Sequence, residues 1–596
     1  MLYGKLSILQ KGHTYPGGDA PDSTFENEGL YLLFYGTLLN RDQLKAAANE
    51  SNAVVAARVY QENSYNGFTK LDGQFTIIYF TPSEAGIVRD HHGTHNPVYY
   101  TADGAFADSL ALLRKQSGLP EQTDRRALSC FLQGGLLPYS HSTHQGVFRL
   151  EAGEAAVYTE ANRKACSIRL FAADYERTPI VEVNPNIEAY ARQYGKLHAA
   201  AIRRRIGNHR RVGILLSGGY DSGSNLAALR SIYDGRIDSY SIGFKGDNWT
   251  ELPLARIMSK HFNTNHHEYE IDGSEIIALP AIIDYLGEPF VEGGLMVNYC
   301  AMRMIAEDRP AVILGGDGSD QYFGTTGREA AMLYLAVRNG MLPFMKGAFR
   351  LVDRAAYDKD GRAFRIRFHL DKLLNILAAD RFGFPDFRMR ELLQHPETDF
   401  FTEKRPKPDT RSFAHLYAQH AMYSDLDISI NRVILYKASR MAKMFDNNLT
   451  YPYMDLSLYR FLQQLPVGLK CKGDSTLEIA KGHGTAKFLL KNYYKPLLPT
   501  EITSKKKQGG FAPMPLFFRD PQQRARLKAF ILASSITQEF LDRNAVEQFL
   551  NRYDQEVANE NGWFWYRQNR ALQYFNLLTL TVWWEQTVEG NKVSLE

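Results

Sequence analysis

Along the first 180 residues, short β-branched and aromatic runs alternate with turn residues, as in Leu30-Tyr-Leu-Leu-Phe-Tyr35, Gln74-Phe-Thr-Ile-Ile-Tyr-Phe80 and Gly153-Glu-Ala-Ala-Val-Tyr158. Runs of this length bounded by turn formers predict strands, so a strand-rich N-terminal domain is expected over 1–180. The stretch Glu176-Arg-Thr-Pro-Ile-Val-Glu-Val-Asn-Pro185 reads as a loop, and apolar residues then recur at helical spacing over 187–202. A domain boundary is expected there, with a second unit over 186–596. From 211 to about 325, strand-like runs at 212–216, 239–244 and 311–314 alternate with helical stretches, the pattern of a parallel sheet in an α/β fold. Beyond about 325 the pattern is mostly helical. No internal repeat or low-complexity segment interrupts it.

Composition narrows the class without naming a function. At 44% hydrophobic, 23% charged and 12% aromatic, the 596 residues exclude a disordered, collagen-like or coiled-coil chain. Seventy Lys and Arg against 66 Asp and Glu leave a net charge of +4, too small to imply a nucleic-acid partner. The four cysteines, Cys130, Cys166, Cys300 and Cys471, form no C-x-x-C pair, so neither a zinc site nor a disulfide framework is expected. No signal peptide is visible, and the longest apolar runs fall far short of the ~18 residues of a membrane span. The expectation is a cytoplasmic protein without a membrane partner.

The chemistry concentrates in Val212-Gly-Ile-Leu-Leu216-Ser217-Gly218-Gly219-Tyr220-Asp221-Ser222-Gly223, a strand running into a loop with two glycines and then a helix. Backbone N–H groups at a helix N-terminus, flanked by hydroxyls, form an anion site, and adjacent glycines allow close approach of a phosphate. The P-loop lysine pattern is absent, so the cation must come from elsewhere, and Asp221 offers a carboxylate for magnesium. A second acidic glycine turn, Leu314-Gly315-Gly316-Asp317-Gly318-Ser319-Asp320, follows another strand. Two such loops at strand ends imply a metal–phosphate site at the carboxyl edge of a parallel sheet.

The first loop resembles the pyrophosphatase loop of ATP-pyrophosphatases. Together with Ser241-Ile242-Gly243-Phe244, Glu251, Leu286-Gly-Glu288-Pro289 and the second loop, it is similar to the asparagine synthetase family. That resemblance implies that residues 216–222 with Gly315 and Gly316 hold the ATP phosphates, that 241–244 lie by the adenine, and that Asp221 and Asp320 hold Mg2+. It also implies a lysine loop, matched by Ser504-Lys505-Lys506-Lys507-Gln-Gly-Gly-Phe511, with Lys507 as the catalytic lysine and Lys506 as the alternative register. The family places a glutamate where Asp317 stands. Asp317 is therefore read either as the general base for an incoming amine or as a second magnesium carboxylate.

In the N-terminal part, Leu71-Asp72-Gly73-Gln74-Phe75 and Arg89-Asp90-His91-His92-Gly93 resemble glutamine amidotransferase domains, implying an αββα sandwich ahead of the adenine-nucleotide α-hydrolase-like synthetase domain. Working members use a cysteine at position 2 as nucleophile, whereas this chain has Leu2, and Ser51-Asn52-Ala53-Val54 lacks the expected carboxylates. The clustered His91, His92 and His95 read as a surface turn. Where the family carries Glu-x-Arg before its Pro-Phe-Leu-Asp ending, this chain has Asn448-Leu-Thr450 before Pro452-Tyr-Met-Asp455.

The expected function is an AMP- and pyrophosphate-forming ligase or cyclase. It adenylates a small-molecule or peptide carboxylate and joins it to an amine other than glutamine-derived ammonia, by analogy with β-lactam synthetases and lasso-peptide cyclases. A precursor peptide and its processing protease would be partners in the lasso case. The alternatives are an asparagine synthetase fed by free ammonia and an inactive ATP-binding scaffold.

Overall fold

A computed structural model describes residues 1–8, 17–27, 29–119, 122–171, 179–246, 250–378, 383–395, 406–504, 512–556 and 561–596. Lys505, Lys506 and Lys507 lie outside the described residues.

The described residues of the N-terminal part form eleven strands: β1 (Leu2–Lys5), β2 (Gly17–Gly18), β3 (Ser23–Asn27), β4 (Leu30–Leu38), β5 (Gly73–Phe80), β6 (Glu84–Arg89), β7 (Tyr99–Thr101), β8 (Ala105–Ala107), β9 (Val147–Arg149), β10 (Glu154–Thr159) and β11 (Lys164–Arg169). They form two antiparallel sheets, ordered β2-β1-β8-β7-β9 and β11-β10-β6-β5-β4-β3. Successive side chains of a strand point to opposite faces, and β4 divides accordingly. Leu32 and Phe34 pack with Phe75, Ile77 and the helix Asn52–Asn63, while Leu33 and Tyr35 pack with Ile78, Leu2 and Phe106 between the sheets. The outer face of the five-stranded sheet is covered by the helix Leu110–Ser117 through Leu110 and Leu113. The layering is α-β-β-α, as the resemblance implied.

The second sheet system is parallel throughout: β12 (Arg211–Leu215), β13 (Arg236–Phe244), β14 (Asn265–Ile271), β15 (Val312–Leu314) and β16 (Leu449–Thr450), ordered β14-β13-β12-β15-β16. Val212 is paired with Val312 and Ile214 with Leu314, so β12 and β15 finish side by side at their carboxyl ends. The two acidic glycine loops, far apart in sequence, therefore emerge together. Around the sheet the chain is helical, closing with Phe564–Thr587, whose Trp583 and Trp584 are buried.

Buried charge joins the two parts. Asp455 is fully buried and takes Arg204 at 2.7 Å and Arg205 at 3.1 Å, while its other oxygen accepts the backbone N–H groups of Ser457 and Leu458. From the N-terminal side, Asp72 accepts from Leu456 N at 3.0 Å and lies 4.0 Å from Arg205. Burial raises the Asp72 carboxyl to about 6, despite the pull of Arg205. A carboxyl raised on folding contributes stability below its unfolded value that is lost as pH climbs through the folded one. Asp72→Asn is therefore expected to stabilise the chain relative to wild type above about pH 6, with the gain shrinking as pH falls toward 4, measured by urea unfolding across that range.

The three histidines depart from expectation. His91 and His92 are buried, because they sit where the two parts meet and not on a surface turn. His92 bonds Asn431 at 2.9 Å through Nδ1 and Tyr322 at 3.0 Å through Nε2, and His91 stacks between His92 and Phe171. Burial lowers the pKa of all three, including His95, which bonds Thr76.

Candidate active site

The loop after β12 leads directly into the helix Tyr220–Ile232, with Gly219 at the N-cap and no side-chain cap. Ser222 folds back to accept from Ser217 N at 3.0 Å, and the two hydroxyls lie 3.0 Å apart, which fixes the loop. A helix N-terminus whose first N–H groups lack a side-chain cap is suited to an anion. Gly218 has a different reason to be glycine. A Cβ there would lie 2.4 Å from Leu254 Cβ, so packing alone excludes a side chain. Ser241 donates to Leu216 O at 2.5 Å, tying the end of β13 to the loop.

After β15, Gly315 and Gly316 pass under Tyr451 and Ser222, and Gly318 turns the chain at φ +101° into the short helix Ser319–Phe323 that carries Asp320. Asp221 and Asp320 thereby converge. Between them stands a residue the sequence reading missed, Lys487, whose Nζ lies 2.5 and 2.6 Å from the Asp221 oxygens and 2.9 Å from Asp320 Oδ1. Its side chain is 5% exposed, and its backbone adopts φ +54°, ψ +40° at the start of the helix Phe488–Tyr494. A non-glycine residue held in the left-handed region costs on the order of 1–3 kcal/mol and marks a site whose surroundings enforce it. Burial pulls the lysine pKa down, but the two carboxylates outweigh it and the net shift is upward. Ser319 Oγ adds a bond to Asp221 at 2.7 Å, and Tyr453 OH donates to Asp221 O at 2.9 Å. The available signal was one lysine, in Thr485-Ala-Lys487-Phe-Leu-Leu, heading an apolar run, since buried lysines are almost always paired.

Two carboxylates that close on one ammonium can also close on one hard cation. The donor set fits Mg2+, which takes one or two protein carboxylates and completes its shell with water and substrate phosphates.

Behind the site a buried hydrogen-bond chain supports both loops. Asn225 donates to Gly315 O at 2.9 Å, and its Oδ1 accepts from His198 Nε2 at 2.8 Å. That assignment leaves His198 Nδ1 to accept from Tyr494 OH at 2.7 Å. Burial lowers the His198 pKa to about 4, which keeps the ring neutral as this chain requires.

Lys437 and Glu292, which are bonded to each other, lie near enough to Asp317 to act on its charge; Glu292 also accepts from Gly294 N at 2.7 Å. Burial raises Asp317 to about 6, Lys437 opposes the rise, and Glu292, Asp221 and Asp320 add to it. A carboxylate poised there can take a proton from an amine near neutral pH. On the general-base reading of Asp317, Asp317→Asn cuts amide formation by ~10²–10⁴. The wild-type rate, read by product mass, should fall on acidification through about pH 6.

Glu288, part of one motif, turns to the N-terminal part, accepting from Tyr99 OH at 2.8 Å and Thr143 N at 3.1 Å. Asn448 bonds Ala311 O, and Thr450 is buried within β16.

The pattern that describes asparagine synthase matches residues 193–585, and that of the glutamine amidotransferase domain matches 16–169. The chain belongs to the asparagine synthetase family. Among the family's curated members, a putative asparagine synthetase [glutamine-hydrolyzing] of Methanocaldococcus jannaschii is 26% identical over 54% of this chain, which spans 64% of that relative's length. A putative asparagine synthetase of Mycobacterium tuberculosis is 24% identical over 85% of this chain and 78% of its own. Asparagine synthetase 1 of Bacillus subtilis is 21% identical over 94% and 87%. Membership makes the chain a carbon–nitrogen ligase of the ATP-dependent, asparagine synthetase-like kind.

Proposed function

We propose that this member adenylates a carboxylate with ATP, releases pyrophosphate and joins the acyl group to an amine that does not come from glutamine. The observation that carries the reading is Leu2, at the position where a glutaminase of this type needs its cysteine. Leu2 is buried between the sheets, a place for packing and not for a nucleophile. The neighbouring Met1 amine pairs with Asp19, and the contacts of His91 and His92 fill the junction between the two parts with aromatic rings.

In the synthetase half, Asp221, Asp320 and Lys487 supply the charges that a metal–pyrophosphate group requires, while Mg2+, when bound, neutralises the phosphates. The helix starting at Tyr220 orients the anion and Asp317 takes the amine proton. Holding amine and activated acyl group together recovers entropy worth roughly 7–11 kcal/mol at best. The acceptor side has neutral Asn448 and Thr450 where the family pattern has a charged pair, which favours an acceptor other than aspartate. Ring closure of a peptide or a β-lactam precursor is the finer form of this reading.

The test mixes protein, ATP, Mg2+ and glutamine with candidate amino-carboxylates or peptides and follows AMP, pyrophosphate and glutamate. AMP formation without glutamate release is expected. Glutamate appearing in step with AMP overturns the reading, and aspartate with ammonium chloride driving pyrophosphate release would move the assignment to an ammonia-fed asparagine synthetase.

A further inference from the structure

We propose that Lys487 is an internal counter-ion that competes with the divalent cation for Asp221 and Asp320, so that metal and nucleotide load together and neither carboxylate accepts metal alone with high affinity. This rests on the metal–phosphate reading of the site above, and it adds an order of loading.

Three observations converge on it. The ammonium is within 3 Å of oxygens from both carboxylates, the very groups whose convergence fits a hard cation. The lysine side chain is 5% exposed, so it has no solvated alternative nearby and leaves the carboxylates only for another anion. Its left-handed backbone holds it there at a conformational cost, which a residue merely filling space would not bear. A metal arriving by itself must displace a buried ammonium and leave it without a partner, an expensive state. Substrate phosphates supply the missing anion: the ammonium turns to them as the metal takes the carboxylates. No bond is made or broken in this exchange; one cation replaces another.

The experiment uses Mn2+ as the probe on the full chain, read by electron paramagnetic resonance. If the carboxylates are free of the lysine for no more than a tenth of the time, wild type binds Mn2+ about 10-fold or more weakly than Lys487→Met. Lys487→Arg, which keeps a cation, should bind as weakly as wild type, and Asp221→Asn combined with Lys487→Met should lose the gain. Unchanged or weaker Mn2+ binding in Lys487→Met overturns the proposal, as does a gain that survives in the double variant. Should Lys487→Met fail to fold, wild type still decides. Adding a non-hydrolysable ATP analogue must tighten Mn2+ beyond the analogue's own affinity for the ion, and absence of that cooperativity overturns the proposal. An Asp221→Asn variant that binds Mn2+ like wild type in the presence of the ATP analogue removes the metal assignment itself. A chain that forms no amide, by contrast, leaves every one of these readings unmoved.

Discussion

Asp221→Ala is expected to lower ATP-dependent pyrophosphate release by roughly 10²–10³-fold, the scale of removing one preorganised electrostatic group from an active site. The carboxylate carries several duties at once. It accepts from Lys487 through both oxygens and from Ser319 at 2.7 Å, and it lies in the first turn of the helix that orients the anion. Lys487 keeps Asp320 at 2.9 Å, so the variant retains one partner for the buried ammonium. Thermal unfolding should therefore shift far less than activity. A variant that releases pyrophosphate at the wild-type rate would sink the assignment of the site, while one that unfolds in parallel with its loss of activity would reduce Asp221 to a structural role.

Asp455→Ala is expected to act on stability, by about 3–5 kcal/mol, because it strands Arg205, 2% exposed, and Arg204, 11% exposed, without their shared carboxylate. Loss of its bonds to Ser457 N and Leu458 N removes the N-cap of the helix Leu456–Gln463 and adds ~1 kcal/mol. Asp455 has the opposite pH behaviour to Asp72. Burial alone would raise it, but Arg205 and Arg204 hold its pKa below the ordinary carboxylate value. Its contribution is therefore present above the unfolded value near ~3.9 and is lost as pH falls through the lower folded one. Urea titrations of Asp455→Ala and wild type should differ at pH 7 and converge in acid. Equal midpoints at pH 7 would show that the arginines find other partners.

The layer order was legible from local pattern, because strand alternation and helical spacing report burial one residue at a time. Leu32 and Phe34 face the helix Asn52–Asn63 while Leu33 and Tyr35 face the second sheet, a division that the run Leu30-Tyr-Leu-Leu-Phe-Tyr35 already carries. The histidines were not legible in the same way. Nothing in Arg-Asp-His-His-Gly-Thr-His distinguishes a turn that meets water from one that meets Asn431 and Tyr322, since burial there comes from a chain segment more than 200 residues away.

By itself the sequence determined the chemistry available: two acidic glycine loops after strands, a family, and a leucine at position 2. These are local or absolute facts, carried by residue identity and spacing. Only the tertiary structure decided what those groups meet. It set β12 beside β15 so that Asp221 and Asp320 converge, brought Lys487 between them from 266 positions along the chain from Asp221, and brought Lys437 and Glu292 within electrostatic reach of Asp317. It also gave Gly218 a packing reason in Leu254. The reason is physical: whether a buried charge is stable depends on the partner within about 4 Å, and partners are chosen by the fold.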